Sequence, residues 1–361
     1  MTDTHTRARI CTGFLATVTG LALFASVASA QDDPIHLEVV THFTTNPYNV
    51  YFQQPFFKEW LPSLTAGQIT SNPIPWDQVG LGGFEMMKLL KMGTYDMANG
   101  TLAYVTGDNP MLEGVNLPGS LQDIDDVLAA DKAYRPILED VFEKTFNSKL
   151  IATYFDPVVS IICNLPGLGE DATLEDLKGK TVRSYGAAIS DFIEGLGATP
   201  VLMPFAEVST AIQRGSVDCL ATSTTAAYAT KFPQITTHVF QIAANYSIQF
   251  SAMNLDTWNR MSPELQGTFQ TAMNMLHAHM AERARVDEID YWACLGAGPC
   301  KYGEPGNLIM IPQTEADTQL MQTILTEKVL PRWAERCGDR PCIAEWNERI
   351  GPIADVTYDG N

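Results

Sequence analysis

Strand and helix patterns alternate along this chain in two separate blocks, and that order restricts the fold more than any single residue does. In the first block, residues 35–42 read as a strand. A polar loop then leads into a helix carrying Phe52, Phe56, Phe57, Trp60 and Leu64 at the helical spacing of about 3.6 residues. A strand at 68–73, a short helix at 84–91 stopped by Gly93, and a strand at 95–99 complete it. The second block has strands at 181–184, 201–203 and 217–221, separated by helices at 187–196 and 208–214 that stop at Gly197 and Gly215. A strand that re-enters its sheet through a helix lies parallel to the strand before it. The pattern therefore predicts two α/β domains. Between the blocks, residues 100–119 read as an irregular surface stretch and 121–146 as a helix kinked near Pro136. Residues 150–154 and 158–163 read as two strands on either side of Asp156-Pro157. A long helix at 263–292, with Phe269, Met273, Leu276 and Met280 on one stripe, and a helix at 315–336 interrupted at Pro331 close the chain.

The first thirty residues stand apart from this pattern. Arg7 and Arg9 precede an apolar, small-residue run that ends in Ala28-Ser29-Ala30, after which Gln31-Asp32-Asp33 turns polar. This is the layout of a secretory signal peptide cleaved near Ala30, and the expected destination is the periplasm. Cys11 leaves with the leader. Cys163, Cys219, Cys294, Cys300, Cys337 and Cys342 remain, an even set in an oxidising compartment. Cys294 with Cys300 and Cys337 with Cys342 can close small loops, which leaves Cys163 and Cys219 for a long-range bridge. A four-cysteine zinc site is the alternative, at looser spacings than zinc sites use. The 42 acidic residues against 23 basic ones give a net charge of −19, which opposes binding to nucleic acid.

Catalytic signatures are missing. The chain has no G-x-S-x-G elbow, no H-E-x-x-H, and no phosphate-binding loop; Gly80-Leu81-Gly82-Gly83 lacks the dinucleotide spacing. No metal, no cofactor and no enzymatic activity is expected. Arg183 stands out, because it ends a strand just before a helix in a chain poor in arginine. Ligands of α/β sheets bind beyond such strand ends, and a guanidinium there can grip a carboxylate with two parallel hydrogen bonds. A salt bridge to a protein carboxylate would explain the same residue.

Residues 174–183 (LEDLKGKTVR), 196–208 (LGATPVLMPFAEV) and 211–218 (AIQRGSVD) together resemble the solute-binding subunits of TRAP-type transporters, of the DctP type. Leu81-Gly82-Gly83, residues 89–98 and residues 228–232 resemble further segments of the same family. The resemblance implies an α/β fold of two domains around a cleft, with several crossovers and a long helix spanning both. Domain I would comprise 31–155 and 244–280, and domain II 156–243 and 281–361. It implies a periplasmic receptor, monomeric and not an enzyme, that delivers a small organic acid to a small and a large membrane subunit. Arg183 would clamp the solute carboxylate and Phe205 would pack on it. Thr222 stands where the family commonly has asparagine, and the second arginine of the sialic-acid binders is absent after residue 154. One arginine suggests one fixed carboxylate, on a monocarboxylate or an aromatic or hydroxy acid. Strand ends add Phe43, Thr44, Asn46, Asn99, Thr101, Tyr104, Tyr154, Phe155 and Tyr185 as candidate walls, with core packing the competing role for the aromatics. An exported α/β enzyme acting on a small carboxylate, or a module that senses a solute for a membrane receptor, are the alternative functions.

Overall fold

The computed structural model describes residues 33–360, so the leader and Cys11 lie outside the described residues. Nine strands form one mixed sheet: β1 (Ile35–Thr41), β2 (Ile69–Pro75), β3 (Met97–Thr101), β4 (Ser148–Cys163), β5 (Thr181–Ser184), β6 (Thr199–Leu202), β7 (Cys219–Ser223), β8 (His238–Asn254) and β9 (Ile309–Pro312). Their order is β2-β1-β3-β8-β4-β7-β5-β6, with β9 beside β8. Strands β1, β2 and β3 run parallel, and so do β5, β6 and β7. These are the two α/β blocks of the sequence, and each forms the heart of one lobe.

Strands β4 and β8 belong to both lobes. The first half of β4 pairs with the second half of β8, which also pairs with β3. The second half of β4 pairs with β7 and with the start of β8. The chain passes from one lobe to the other near Asp156-Pro157, where the β4–β8 register shifts. Proline cannot donate to a ladder, and the bulge removes Pro157 from it. A single long strand therefore replaces the two short strands expected on either side of that dipeptide. The helix Pro263–Leu295 packs on β4 and reaches elements of both lobes. Its Phe269, Met273, Leu276 and Met280 are buried, as their spacing predicts.

Three further expectations need correction. Residues 100–119 are no surface loop. Leu112, Val115 and Leu117 are buried, and Gly114 lies so close to Tyr134 and Trp333 that a Cβ there would stand 2.5 Å from the Tyr134 hydroxyl. Absence of a side chain lets this segment pass beneath the C-terminal helices. The first helix also departs from even helical spacing. Its turns Asn49–Gln53 and Phe56–Trp60 are π-wound, with Gln54 and Leu61 N–H groups reaching back five residues just before Pro55 and Pro62. The wide turn accommodates the proline ring and the missing donor. It also shifts the helix phase, so Phe56, Phe57 and Leu61 are buried while Trp60 and Leu64 are exposed. A third π turn, Leu325–Val329, carries the tail helix past Pro331 without breaking it.

Three disulfides join Cys163 to Cys219, Cys294 to Cys300 and Cys337 to Cys342. The first links directly opposed residues of β4 and β7, inside one lobe. Among the described residues, no helix is long and apolar enough to cross a membrane, and no cluster of three metal-binding side chains occurs.

Candidate binding cavity at the strand crossing

The C-terminal ends of β1, β3, β5 and β7 converge on the crossing of β4 and β8, and a cavity of about 40 Å³ lies among them. Strand ends supply this wall because each parallel strand must leave the sheet there, which frees its last side chains from packing. Arg183 is the penultimate residue of β5 and is 1% exposed. Its Nε donates to Met203 O at 3.2 Å, Nη1 to Ala221 O at 3.0 Å and Nη2 to the Tyr104 hydroxyl at 3.2 Å. The rings of Tyr185 and Phe205 lie 5.4 and 5.6 Å from its guanidinium carbon. Among the described residues no carboxylate forms an ion pair with it, so the protein-salt-bridge reading of Arg183 does not apply. A buried cation facing only carbonyls, a phenol and aromatic faces lacks a counter-charge, and a bound anion supplies one.

Three contacts fix the fork of this guanidinium. Of the five N–H groups an arginine carries, three are taken by Met203 O, Ala221 O and Tyr104. One N–H on each terminal nitrogen is left, the pair that receives a carboxylate end-on. Tyr104 is itself positioned by the glycine segment, its ring stacking on Phe84 at 4.5 Å. Gly83 has φ +95°, and a Cβ there would stand 2.7 Å from the Tyr104 ring.

Seven of the expected wall residues meet at this cavity: Phe43, Thr101, Tyr104, Arg183, Tyr185, Phe205 and Thr222. The other five do not line it. Thr44 donates to Asp77 through both backbone N–H and hydroxyl, tying the loop after β1 to the turn after β2. Asn46 accepts from the N–H groups of Tyr48 and Asn49, capping the helix that follows β1. Asn99 donates to Val40 O and accepts from Ser251, inside the sheet. Tyr154 packs under the long helix with its phenol oxygen accepting from Gln53, and Phe155 packs in the main core. Alternation along β4 turns these two rings to opposite faces, and each is filled by core.

His42, Trp76, Asp156, Ser247 and Gln249 line the cavity without having been singled out from the sequence. Gln249 links them: its Nε2 donates to Ser247 Oγ at 2.8 Å and to Asp156 Oδ2 at 3.3 Å, while its Oε1 accepts from Thr101 at 2.9 Å. Burial holds the His42 imidazole neutral, with a pKa lowered to about 3, and Trp76 packs on it at 4.2 Å. Burial pushes the Asp156 carboxyl up to about 7; Asn46 beside it pulls the value down and Asp287 raises it. The Asp-Pro pair between two strand-like runs, with no other acidic residue in either, is the one sequence signal for Asp156.

Residues 41–304 match the family model for DctP, bacterial extracellular solute-binding protein, family 7. Solved structures with the same fold include an extracytoplasmic solute receptor of Bordetella pertussis that binds pyroglutamic acid (17% identity, TM-score 0.77, covering 89% of this chain and 100% of that one). A TRAP periplasmic solute-binding protein from Desulfovibrio salexigens with bound orotic acid is 17% identical, with TM-score 0.77 over 88% of this chain and 99% of that one. One from Sulfurospirillum deleyianum with bound succinate is 21% identical, with TM-score 0.74 over 88% and 99%. At these identities the likeness is one of fold.

Proposed function

The chain belongs to the bacterial extracellular solute-binding proteins of family 7, the DctP family, and from that premise we propose that it is the periplasmic receptor of a TRAP-type transporter. It captures a small organic acid through an Arg183–carboxylate clamp and delivers it to the membrane subunits. One observation carries the reading: a fully buried guanidinium, held by three neutral acceptors, with two N–H groups left over and no protein carboxylate paired to it. The acids bound by the structural relatives, pyroglutamic, orotic and succinic, share the carboxylate this site would grip.

Phe205 and Tyr185 flank the guanidinium and exclude water from it, which strengthens each charged hydrogen bond. Thr222 adds a hydroxyl from the end of β7. In this reading the lobes are 31–155 with 244–280 and 156–243 with 281–361. They part to admit the solute and close on it about the β4–β8 crossing, and the membrane subunits recognise the closed form. No covalent step is involved, and the solute leaves chemically unchanged.

The test is a thermal-shift screen of the mature protein, unfolded and refolded to strip bound solute, against mono- and dicarboxylic, hydroxy, keto, aromatic and sugar acids. A ligand at 100 times its Kd stabilises the folded state by about 2.7 kcal/mol. For a mature chain of about 330 residues that is a rise in Tm of roughly 4 °C. Shifts confined to carboxylates support the receptor; a panel with no shift refutes it.

A further inference from the structure

The cavity that holds Arg183 has a second chemical character, set by Gln249. Because Gln249 Nε2 donates to Ser247 and Asp156, its Oε1 faces the other way, where it lies 3.0 Å from His42 Nε2. An amide oxygen only accepts, so His42 carries its proton on Nε2 and its Nδ1 is a bare lone pair. Among the described residues that Nδ1 has no hydrogen-bond partner, and Asp156 Oδ1 has none at ordinary length, with only the Asn46 amide standing beside it. Both side chains are nearly fully buried, His42 at 2% and Asp156 at 3% exposure, and both line the cavity. A buried acceptor without a donor is costly, and two of them around one cavity are a demand for donors.

We propose, building on the Arg183 clamp, that His42 Nδ1 and, once Asp156 is ionised, its Oδ1 form an acceptor wall selecting carboxylates that also carry an N–H or O–H donor, such as lactams and 2-hydroxy acids. The clamp takes the carboxylate and the wall takes the donor. An acid of the same shape whose donor is replaced by an ether or ester oxygen meets lone pairs with lone pairs. Such a site rejects the analogue strongly, because its own polar groups then stay unpaired. Asn46 stands beside Asp156, and its amide is the protein donor with which a ligand N–H or O–H would compete for that carboxyl.

The experiment is calorimetry at pH 8, where Asp156 is ionised, on the stripped protein with matched pairs: pyroglutamate against its lactone analogue 5-oxotetrahydrofuran-2-carboxylate, and lactate against 2-methoxypropionate. The donor-bearing member of a bound pair should bind at least tenfold more tightly. D156N turns an acceptor toward a donor while keeping the shape, and should reduce that ratio below threefold; H42F, which removes the Nδ1 lone pair, should lower it as well. If Asp156 only holds Asn46 in place, D156N weakens both members equally and the ratio stands, which overturns the proposal. Equal binding of both members to the wild type overturns it too, while abolition of both by R183A leaves the clamp intact. Failure of every acid to bind, or binding indifferent to R183A, refutes the clamp and with it the wall.

Discussion

Replacing Arg183 removes the one feature on which the functional reading stands, and its effect can be sized from the contacts. Three of the five guanidinium N–H groups are held by Met203 O, Ala221 O and the Tyr104 hydroxyl. The ligand carboxylate would thus engage two N–H groups whose positions are fixed before it arrives, so little conformational entropy opposes binding. Truncating one partner of a buried, hydrogen-bonded charge pair costs about 2–5 kcal/mol. R183A should therefore weaken binding roughly 30- to 5,000-fold. R183K keeps the charge but offers a point ammonium in place of a fork; it should fall between the two. In the ligand-free protein R183A has opposing effects. It removes an uncompensated buried cation, and it leaves the Met203 and Ala221 carbonyls without their donor. Its unliganded Tm should therefore move much less than its affinity. Isothermal titration of the stripped wild type, R183A and R183K with the acid found by screening measures all three. R183A binding within threefold of wild type would refute the clamp. R183K binding as tightly as wild type would show that charge, and not the fork, is what the site uses.

Other consequences follow from the same geometry. Gly83→Ala must displace the Tyr104 ring; affinity should drop about two- to tenfold, the worth of one hydrogen bond. Y104F should reproduce that loss, and a G83A variant with unchanged affinity would show that Tyr104 does not position Arg183. The Cys163–Cys219 bridge closes a loop of 56 residues within one lobe, worth about 4 kcal/mol on the chain-entropy account. The C163A/C219A double variant should therefore lose stability in denaturant while binding its acid within threefold of wild type; a large loss of affinity would place the bridge on the closing motion. Asp156 gives a pH signature. Its folded-state pKa of about 7 lies above the ordinary 3.8, so the native state keeps the proton longer. Its stabilising contribution is complete below about pH 4 and is lost as pH rises through 7, at most on the order of 4 kcal/mol. Ligand-free D156N should thus gain on wild type as pH rises from 5 to 8. A difference that is flat with pH would mean that Asp156 is ionised throughout, in spite of its burial beside Asn46, Gln249, Tyr48, Tyr154 and Asp287.

The lobes were legible because helices and parallel strands write themselves locally. Gly93, Gly197 and Gly215 stop helices where the sequence says they should, and each strand–helix–strand run lies within one lobe. The two long strands that join the lobes were harder. β8 is buried through nearly its whole length, so it lacks the alternation that marks a half-exposed strand. β4 contains a proline that reads locally as a break and is absorbed by a bulge only because β8 lies beside it. Pro55, Pro62 and Pro331 also read as interruptions, yet the backbone passes them in π turns. In these places pairing or packing at a distance overrides the local signal.

The same division explains the site. Arg183, Tyr185, Phe205 and Thr222 lie at strand ends of one parallel block, where position in the pattern implies position in space. His42 follows β1, Asp156 lies on β4 and Gln249 on β8, and only the lobe crossing brings them together; no spacing in the chain connects residue 42 to 156 or 249. Their chemistry also lies in what they lack. The sequence shows a histidine and an aspartate, and burial among aromatics turns the first into a neutral acceptor and raises the second toward neutrality. A cavity around one cation, one neutral imidazole acceptor and one carboxyl would distinguish acids by what accompanies the carboxylate. On the proposed reading, specificity would thus be built at the strand crossing, where closing the lobes would bring the clamp on β5 against the acceptors on β4 and after β1, so that a solute satisfying only one side would leave the other unpaired.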